Sequence, residues 1–156
     1  MNSRIIDSLK ELIKGETNFI ANAANFSAFL YHGLDDLNWV GFYMLDGKEL
    51  LLGPFCGKPA CIRIKLGKGV TGTSAESKKT IIIDDVHTFP GHIACDPNSR
   101  SELVIPMIYN NELLGVLDLD SPMLNRFSNN DKEIIEKMLN YLVTNSDMHA
   151  IKKYYA

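Results

Sequence analysis

The chain has 156 residues, of which 46% are hydrophobic and 22% are charged, and its formal net charge is −3. These values are ordinary for a globular protein, and we expect residues 1–156 to form a single domain with a sizeable core. A weakly acidic chain is not expected to bind nucleic acid, and no apolar run is long enough to cross a membrane. The first residues lack the apolar core of a secretory signal, so we expect a cytoplasmic protein.

The N-terminal region predicts a pair of helices. Residues 3–14 repeat apolar side chains at helical spacing, and Gly15 is placed to end this helix. A second helix is predicted over residues 17–32, with Gly33 as its stop. Two helices joined by a short loop are expected to pack together against a larger element.

A hairpin is predicted next. Residues 38–45, NWVGFYML, are rich in β-branched and aromatic side chains. The Asp-Gly pair at 46–47 is a strong hairpin signal, so residues 48–55 should return as a second strand. By the two-residue period, Trp39 and Tyr43 share one face of the first strand. Such residues are more often plain core, and the functional alternative is that they wall a pocket for an apolar group.

A glycine-rich turn follows a third predicted strand at residues 61–66. Gly67, Gly69 and Gly72 spell G-x-G-x-x-G before a short helix predicted over residues 71–77. A dinucleotide fingerprint requires a βαβ unit of about 30 residues, and this helix is too short for one. We favour a tight strand-to-helix turn, and the alternative is that backbone N–H groups at the helix start bind a small anion.

The remaining elements define the fold class. Residues 80–84 predict a strand, residues 84–98 a long loop, and residues 102–120 two further strands. Ser128 begins a capping box, and the last helix should run to about His149. The order α-α-β-β-β-α-β-β-β-α predicts an α+β fold, a central antiparallel sheet with helices packed on one side.

Acidic side chains interrupt the last two apolar strands. Glu102 opens ELVIPMI, and Asp118 and Asp120 close LLGVLDLD. A solvated sheet face would explain these acids as well as a functional site would. The register of the hairpin separates the two interpretations. A two-residue turn at 110–111 would pair Glu102 with Leu119, on the opposite face from both aspartates.

A three-residue loop or a one-residue bulge would instead pair Glu102 with Asp120 and put Asp118 on the same face. Pro106 inside the strand makes a bulge plausible. Three acids in a partly buried pocket cannot all stay ionised, and a carboxylic acid that is protonated near neutral pH is a proton donor. The hypothesis of a site therefore predicts an odd loop or a bulge.

The three cysteines are too few for a disulfide scaffold. Cys95 lies in a polar loop just before the acidic strands, as a reactive thiol would. Cys61 is its natural redox partner, although a buried core thiol is equally expected there. A bridge requires the two Cα atoms to lie within about 7 Å. Cys56 has no clear role.

A metal is the rival use of the same loop. His87, His92 and Cys95 have the spacing H-x4-H-x2-C. This spacing matches no strong zinc signature, so we expect no metal. Either histidine would alternatively stabilise the Cys95 thiolate, and a plain polar loop histidine is at least as expected.

Four segments resemble the free methionine-(R)-sulfoxide reductases, which are enzymes with the GAF fold. They are NWVGFYML, LGPFCGKPACIRIKLGKGVTGTSA, DVHTFPGHIACDPNSRSELVIP and GVLDLDSP. The resemblance covers residues 38–127 nearly without gaps, and GHIACD and SELVIP, with their spacing to LDLD, are specific to this group. It implies a GAF-like domain that reduces free, not protein-bound, methionine-(R)-sulfoxide and uses no cofactor.

The resemblance also implies roles for individual residues: a nucleophile with its resolving thiol, an acidic trio, and an aromatic wall around the substrate methyl group. In that order they are Cys95 with Cys61, then Glu102, Asp118 and Asp120, then Trp39 and Tyr43. Many relatives have a further cysteine where this chain has Thr71. Recycling is therefore expected from Cys61, and Cys56 remains the alternative.

The implied cycle begins when the Cys95 thiolate attacks the sulfoxide sulfur while a protonated acid assists the oxygen. Cys95 becomes a sulfenic acid, Cys61 converts it to a disulfide, and thioredoxin reduces the disulfide. The resemblance favours a homodimer formed through the helices. Two competing functions remain, because fold alone does not decide function. One is a non-catalytic GAF module that senses an amino acid, and the other is a thiol redox sensor.

Overall fold

A computed structural model describes residues 4–92 and 95–155. Its helices and strands follow the predicted order. They are α1 (Arg4–Leu12), α2 (Phe19–Gly33), β1 (Trp39–Asp46), β2 (Glu49–Gly57), β3 (Arg63–Lys65), α3 (Gly69–Ser77), β4 (Ile81–Ile83), β5 (Ser101–Tyr109), β6 (Glu112–Ser121), α4 (Asn129–Asn145) and α5 (Met148–Tyr154). A 3-10 turn, Val86–Thr88, interrupts the predicted long loop.

Beyond shifts of one or two residues at the ends of other elements, the last helix and the third strand differ from the sequence prediction. The sequence predicts a continuous last helix, but the helix is divided, because the Asp147 side chain caps α5 while its backbone N–H donates to the carbonyl of Thr17. Ser128 and Asp131 form the predicted capping box at the start of α4. The third strand begins at Arg63, so Cys61 lies just outside it.

The six strands form one antiparallel sheet in the order β3-β2-β1-β6-β5-β4. Alternate side chains of β1, β5 and β6 enter a large apolar cluster with α1, α2, α4 and α5 on one face of the sheet. The prediction of an α+β fold with helices on one side is confirmed for these four. The short α3 is the exception, since its Val70 and Ala75 join a smaller cluster with Trp39 and Tyr43 on the other face.

The hairpin between β5 and β6 has a two-residue turn. Asn110 and Asn111 both have positive φ, at 49° and 63°, which is the geometry of a tight hairpin turn, and Tyr109 pairs with Glu112. An unbroken ladder from this turn would put Glu102 on the opposite face of the sheet from Asp118 and Asp120.

A β-bulge corrects the register. The pairing shifts between Met107 and Ile108, so that the ladder between these two strands skips Leu114 of β6 and Glu102 pairs with Asp120. Gly115 permits the bulge, because its φ is +158° and a Cβ there would lie 2.2 Å from a backbone oxygen of β1. The predicted bulge is therefore confirmed, and it lies in β6 instead of at the proline of β5.

Among the described residues, no helix has both the length and the apolar character needed to cross a bilayer.

Candidate active site

The predicted acids converge on the face of the sheet opposite the four-helix layer. Asp120 pairs with Trp39 of β1 and with Glu102 of β5. Asp118 pairs with Gly41 of β1, two residues away on the same face. One oxygen from each of the three carboxyl groups lies within 4.8 Å of the oxygens of the other two.

Burial sets the proton affinity of this trio. Glu102 is 3% exposed and Asp118 is 6% exposed. Burial first, and repulsion from Asp120 second, raise the pKa of Glu102 well above its ordinary value. Burial and repulsion from Glu102 do the same to the pKa of Asp118, and burial and repulsion from Asp118 raise the pKa of Asp120. All three shifts favour the protonated form, so the trio holds a proton to higher pH than isolated carboxyl groups do.

Thr71 opposes this shift. Its hydroxyl donates to Glu102 Oε1 at 3.3 Å and to Asp118 Oδ2 at 3.5 Å, and each hydrogen bond lowers the pKa of the acid that accepts it. Asp118 Oδ1 is buried and has no hydrogen-bond partner among the described residues. The hydrogen-bonding capacity of this oxygen is therefore unused within the described structure.

The two predicted redox cysteines are bonded to each other. Cys61 and Cys95 form a disulfide with a Cα–Cα distance of 5.8 Å across 34 residues of sequence. Of the two sequence alternatives for Cys61, the bridge favours a redox partner over a core thiol. Cys56 is a free thiol and pairs in register with Val40, whose side chain belongs to the helix-side core, so it lies on the opposite face from the acids.

One pocket contains Cys95 and the acids together. His92, Trp39, Tyr43 and the acidic trio line it with Cys95, as do Gly69, Val70 and Thr71 at the start of α3. From the sequence, only the hairpin register and the family resemblance connect these groups.

The two aromatic residues form a stacked wall. The rings of Trp39 and Tyr43 have centroids 5.8 Å apart, and Phe55 stacks on Trp39 at 5.3 Å. Two glycines leave the space for the indole. A Cβ on Gly41 would lie 2.5 Å from the Trp39 ring, and a Cβ on Gly57 would lie 2.6 Å from it.

The polar ends of this wall bind the segment that contains Cys61. Trp39 Nε1 donates to the carbonyl of Lys58 at 3.1 Å, and the Tyr43 hydroxyl donates to the carbonyl of Cys61 at 2.9 Å. Burial, with smaller contributions from the nearby acids, raises the pKa of Tyr43, so its phenol remains a donor.

A separate contact holds the loop that contains Cys95. Asn38 Nδ2 donates to Asp96 Oδ2 at 3.3 Å and to Ser99 Oγ at 3.0 Å. Sequence reasoning missed the roles of Asn38 and Ser99. The available signal was weak: Asn38 is a polar residue directly before the strand that begins at Trp39.

The two histidines of the predicted long loop lie in different surroundings. His92 lines the pocket, with Nδ1 3.7 Å from Glu102 Oε2, and burial lowers its pKa. His87 instead contacts Asp85, with 3.0 Å between Nδ1 and Oδ1, and does not line the pocket. The H-x4-H-x2-C pattern is therefore not assembled as a ligand set within the described residues. Among the described residues, the side chains close enough together to share a cation are those of the acidic trio.

The glycine-rich turn has the expected form. Gly67 and Gly69 have φ of 76° and 63°, and Lys68, the N-cap residue before α3, makes no side-chain hydrogen bond to the helix. The first residues of α3 face the pocket, so uncapped backbone N–H groups lie beside it.

Comparison with known proteins agrees with this geometry. Residues 26–144 match the family model of the GAF domain. The free methionine-R-sulfoxide reductase of Escherichia coli strain K12 is 46% identical over 145 residues, which is 93% of this chain and 88% of that one. A solved structure of fRMsr from Staphylococcus aureus, in a reduced form, has a TM-score of 0.90, with 45% identity over 93% of this chain and 94% of that chain.

A third similar protein is the free methionine-R-sulfoxide reductase of Neisseria meningitidis, solved in complex with its substrate. It has a TM-score of 0.88 and 36% identity, over 92% of this chain and 87% of that chain. The fold and the site define a GAF domain protein. Within that class, this chain belongs to the free methionine-R-sulfoxide reductase family.

Proposed function

We propose that this protein reduces free methionine-(R)-sulfoxide to methionine. The observation that supports this most directly is the placement of Cys95, which is joined to Cys61 at a pocket lined by three buried acids and a stacked aromatic wall. A binding module for an amino acid needs the acids and the aromatic rings, but it does not need a disulfide beside them.

The first step is oxygen transfer. The Cys95 thiolate attacks the sulfoxide sulfur, and a protonated acid of the trio hydrogen-bonds the sulfoxide oxygen as charge develops on it. The oxygen passes to the Cys95 sulfur, which becomes a sulfenic acid, and methionine is released. The raised pKa values of Glu102, Asp118 and Asp120 favour this role, because an ionised trio would repel the oxygen.

The second step regenerates the thiol. The Cys61 thiol attacks the sulfenic sulfur of Cys95, the S–O bond breaks, water leaves and the disulfide forms. We propose a thioredoxin-type dithiol as the reductant of this disulfide. Such a cycle requires a compartment that keeps dithiols reduced, which supports a cytoplasmic location.

Selection of the free amino acid follows from the charges around the pocket. The acidic trio suits the substrate ammonium group, and the uncapped N–H groups of α3 suit its carboxylate. Trp39 and Tyr43 offer an apolar wall to the methyl group. A peptide has neither terminal charge at an internal methionine, so both attractions would be lost.

The decisive assay mixes the protein with thioredoxin, its reductase and NADPH, and supplies either epimer of free methionine sulfoxide or a peptide that contains it. We expect NADPH loss with the free R epimer only, and no turnover by Cys95→Ser. Binding of the amino acid without NADPH loss would identify a sensor, and oxidation of Cys95 without substrate preference would identify a thiol redox sensor.

The resolving role has its own prediction. Cys61→Ser should release about one equivalent of methionine per protein and then stop with thioredoxin, because no disulfide forms for a dithiol to exchange with. Cys56→Ser is the matched control and should cycle normally. Sustained thioredoxin-driven turnover by Cys61→Ser would transfer the role to Cys56.

We also propose a homodimer through the helical layer. Leu12 of α1 and Ile20 of α2 are 45% and 43% exposed there, which supports an apolar contact between copies. Light scattering on the wild type and on Leu12→Glu tests this proposal, and a monomeric wild type would contradict it.

A further inference from the structure

The segment that contains Cys61 has no regular structure of its own. Residues 58–62 belong to neither helix nor strand. Hydrogen bonds from the neighbouring strands hold this segment. They run from Trp39 to the carbonyl of Lys58, from Tyr43 to the carbonyl of Cys61, and from the backbone N–H of Leu52 to the carbonyl of Ile62.

Of these hydrogen bonds, the one from Tyr43 ends on Cys61 itself. Tyr43 is 2% exposed, and its hydroxyl lies 2.9 Å from the carbonyl oxygen of Cys61 in the disulfide form. The ring of the same residue stacks against Trp39 in the pocket wall. One side chain therefore contacts both the pocket and the backbone of the proposed resolving cysteine.

We propose that the Tyr43 hydroxyl is a positioning group for the recycling step, and that it holds the backbone of Cys61 where its thiol reaches the Cys95 sulfenic acid. This inference rests on the proposed function. It assigns the ring to the substrate and the hydroxyl to the second half of the cycle.

The chemistry of that half explains why position matters. The Cys61 thiol supplies the sulfur of the new S–S bond, the S–O bond of the Cys95 sulfenic acid breaks, and water leaves with the thiol proton. The thiol is oxidised and the sulfenic sulfur is reduced, so no further reactant is needed. Reactions between two groups of one protein depend steeply on their approach, and a displacement of about 1 Å can cost a factor of about 100.

The two sulfurs are held by independent contacts. Asn38 fixes the loop of Cys95 through Asp96 and Ser99, whereas Tyr43 and Trp39 fix the segment of Cys61. Loss of the Tyr43 hydroxyl would leave the carbonyl of Cys61 without this partner and loosen one side of the pair. The expected defect therefore lies in disulfide formation.

The test follows both steps in one experiment. Reduced Tyr43→Phe is mixed with one equivalent of free methionine-(R)-sulfoxide, and quenched samples are analysed for methionine, for the dimedone adduct of the sulfenic acid, and for the disulfide. We expect the ratio of the rate of disulfide formation to that of methionine formation to fall about tenfold or more, with adduct accumulating. Tyr141→Phe, on α4, is the matched control and should keep the wild-type ratio.

A wild-type ratio in Tyr43→Phe would overturn the inference. A second arm repeats the substitution in the Cys61→Ser background, where it should not change the lifetime of the sulfenic acid, because the group it positions is gone. A further change in that background would also overturn the inference.

Two further results distinguish a failure of the proposed function, or of the variant to fold, from a failure of this inference. Absence of methionine in the wild type would contradict the proposed function and not this step alone. Should Tyr43→Phe fail to fold in a thermal unfolding check, 4-fluorophenylalanine at position 43 keeps the ring and its size but has no hydroxyl proton to donate. The same ratio should then fall, and an unchanged ratio would overturn the inference.

Discussion

At the scale of single residues, Thr71 is notable because its hydroxyl contacts two of the buried acids. It is buried and donates to Glu102 and Asp118, and its hydrogen bonds oppose the rise in their pKa values. A thiol at this position would be a weaker donor. The hydroxyl therefore keeps the buried pair less basic than burial and repulsion alone would make it.

Thr71→Val should move the alkaline limb of the pH–rate profile upwards by about half a unit to one unit, which corresponds to about 1 kcal/mol. The sign follows from the loss of a donor: the pKa values of Glu102 and Asp118 rise further, and the catalytic acid stays protonated to higher pH. The profile of kcat/KM for the free sulfoxide measures this. Thr71→Ser keeps the hydroxyl and should restore the wild-type limb, and a downward shift in Thr71→Val would contradict the assignment.

The identities of single residues also show how much of the site can be predicted. A cysteine in a polar loop beside three acids in strand positions leaves redox chemistry as one of several interpretations of the sequence, and the family resemblance selects it. The hydrogen bonds of Asn38 and Tyr43 do not follow from residue type, because each partner belongs to an irregular segment whose path the sequence pattern does not define.

At the scale of elements, the bulge in β6 decides where the acids point. Gly115 accommodates it in a backbone conformation that side chains rarely adopt, beside the backbone oxygen of Tyr43. Gly115→Ala should therefore lower the free energy of unfolding by about 2 kcal/mol or more. Urea denaturation measures the loss. Gly33→Ala is the control, since a Cβ there would meet no described atom within 4 Å beyond its chain neighbours and the backbone of its own helix, and an equal effect in both variants would contradict this explanation.

The same hairpin shows how far sequence reasoning reaches. The two-residue period and the alternating acids are enough to predict that a bulge or an odd loop must exist if Glu102 and Asp120 are to meet. They do not place it, because its site depends on the close approach of Gly115 to β1. The division of the last helix is missed for a similar reason, since Asp147 is tied to Thr17, a residue distant in sequence.

At the scale of the whole molecule, the sheet separates the main apolar core from the candidate active site. The larger apolar cluster lies on the helix side, and the smaller one shares its face with the pocket. The disulfide crosses this second face and closes a loop with a sequence separation of 34 residues. The molecule therefore alternates between a cross-linked and an open chain in each proposed cycle.

The oxidised protein should be more stable than the reduced one by about 3–4 kcal/mol, because the cross-link restricts the unfolded chain. Urea midpoints of the oxidised and reduced wild type measure the difference. Oxidised Cys56→Ser should behave as oxidised wild type, since it retains the bridge. Equal midpoints for the two redox forms would contradict this prediction.

The position of Trp39 has an optical consequence. It is the single tryptophan of the chain, and its indole lies in the pocket wall between Tyr43 and Phe55. Fluorescence excited at wavelengths that only indole absorbs therefore reports on this one location. A neighbouring disulfide efficiently quenches indole emission. Fluorescence of the unlabelled protein should brighten when the Cys61–Cys95 bond is reduced and shift again when an amino acid fills the cavity.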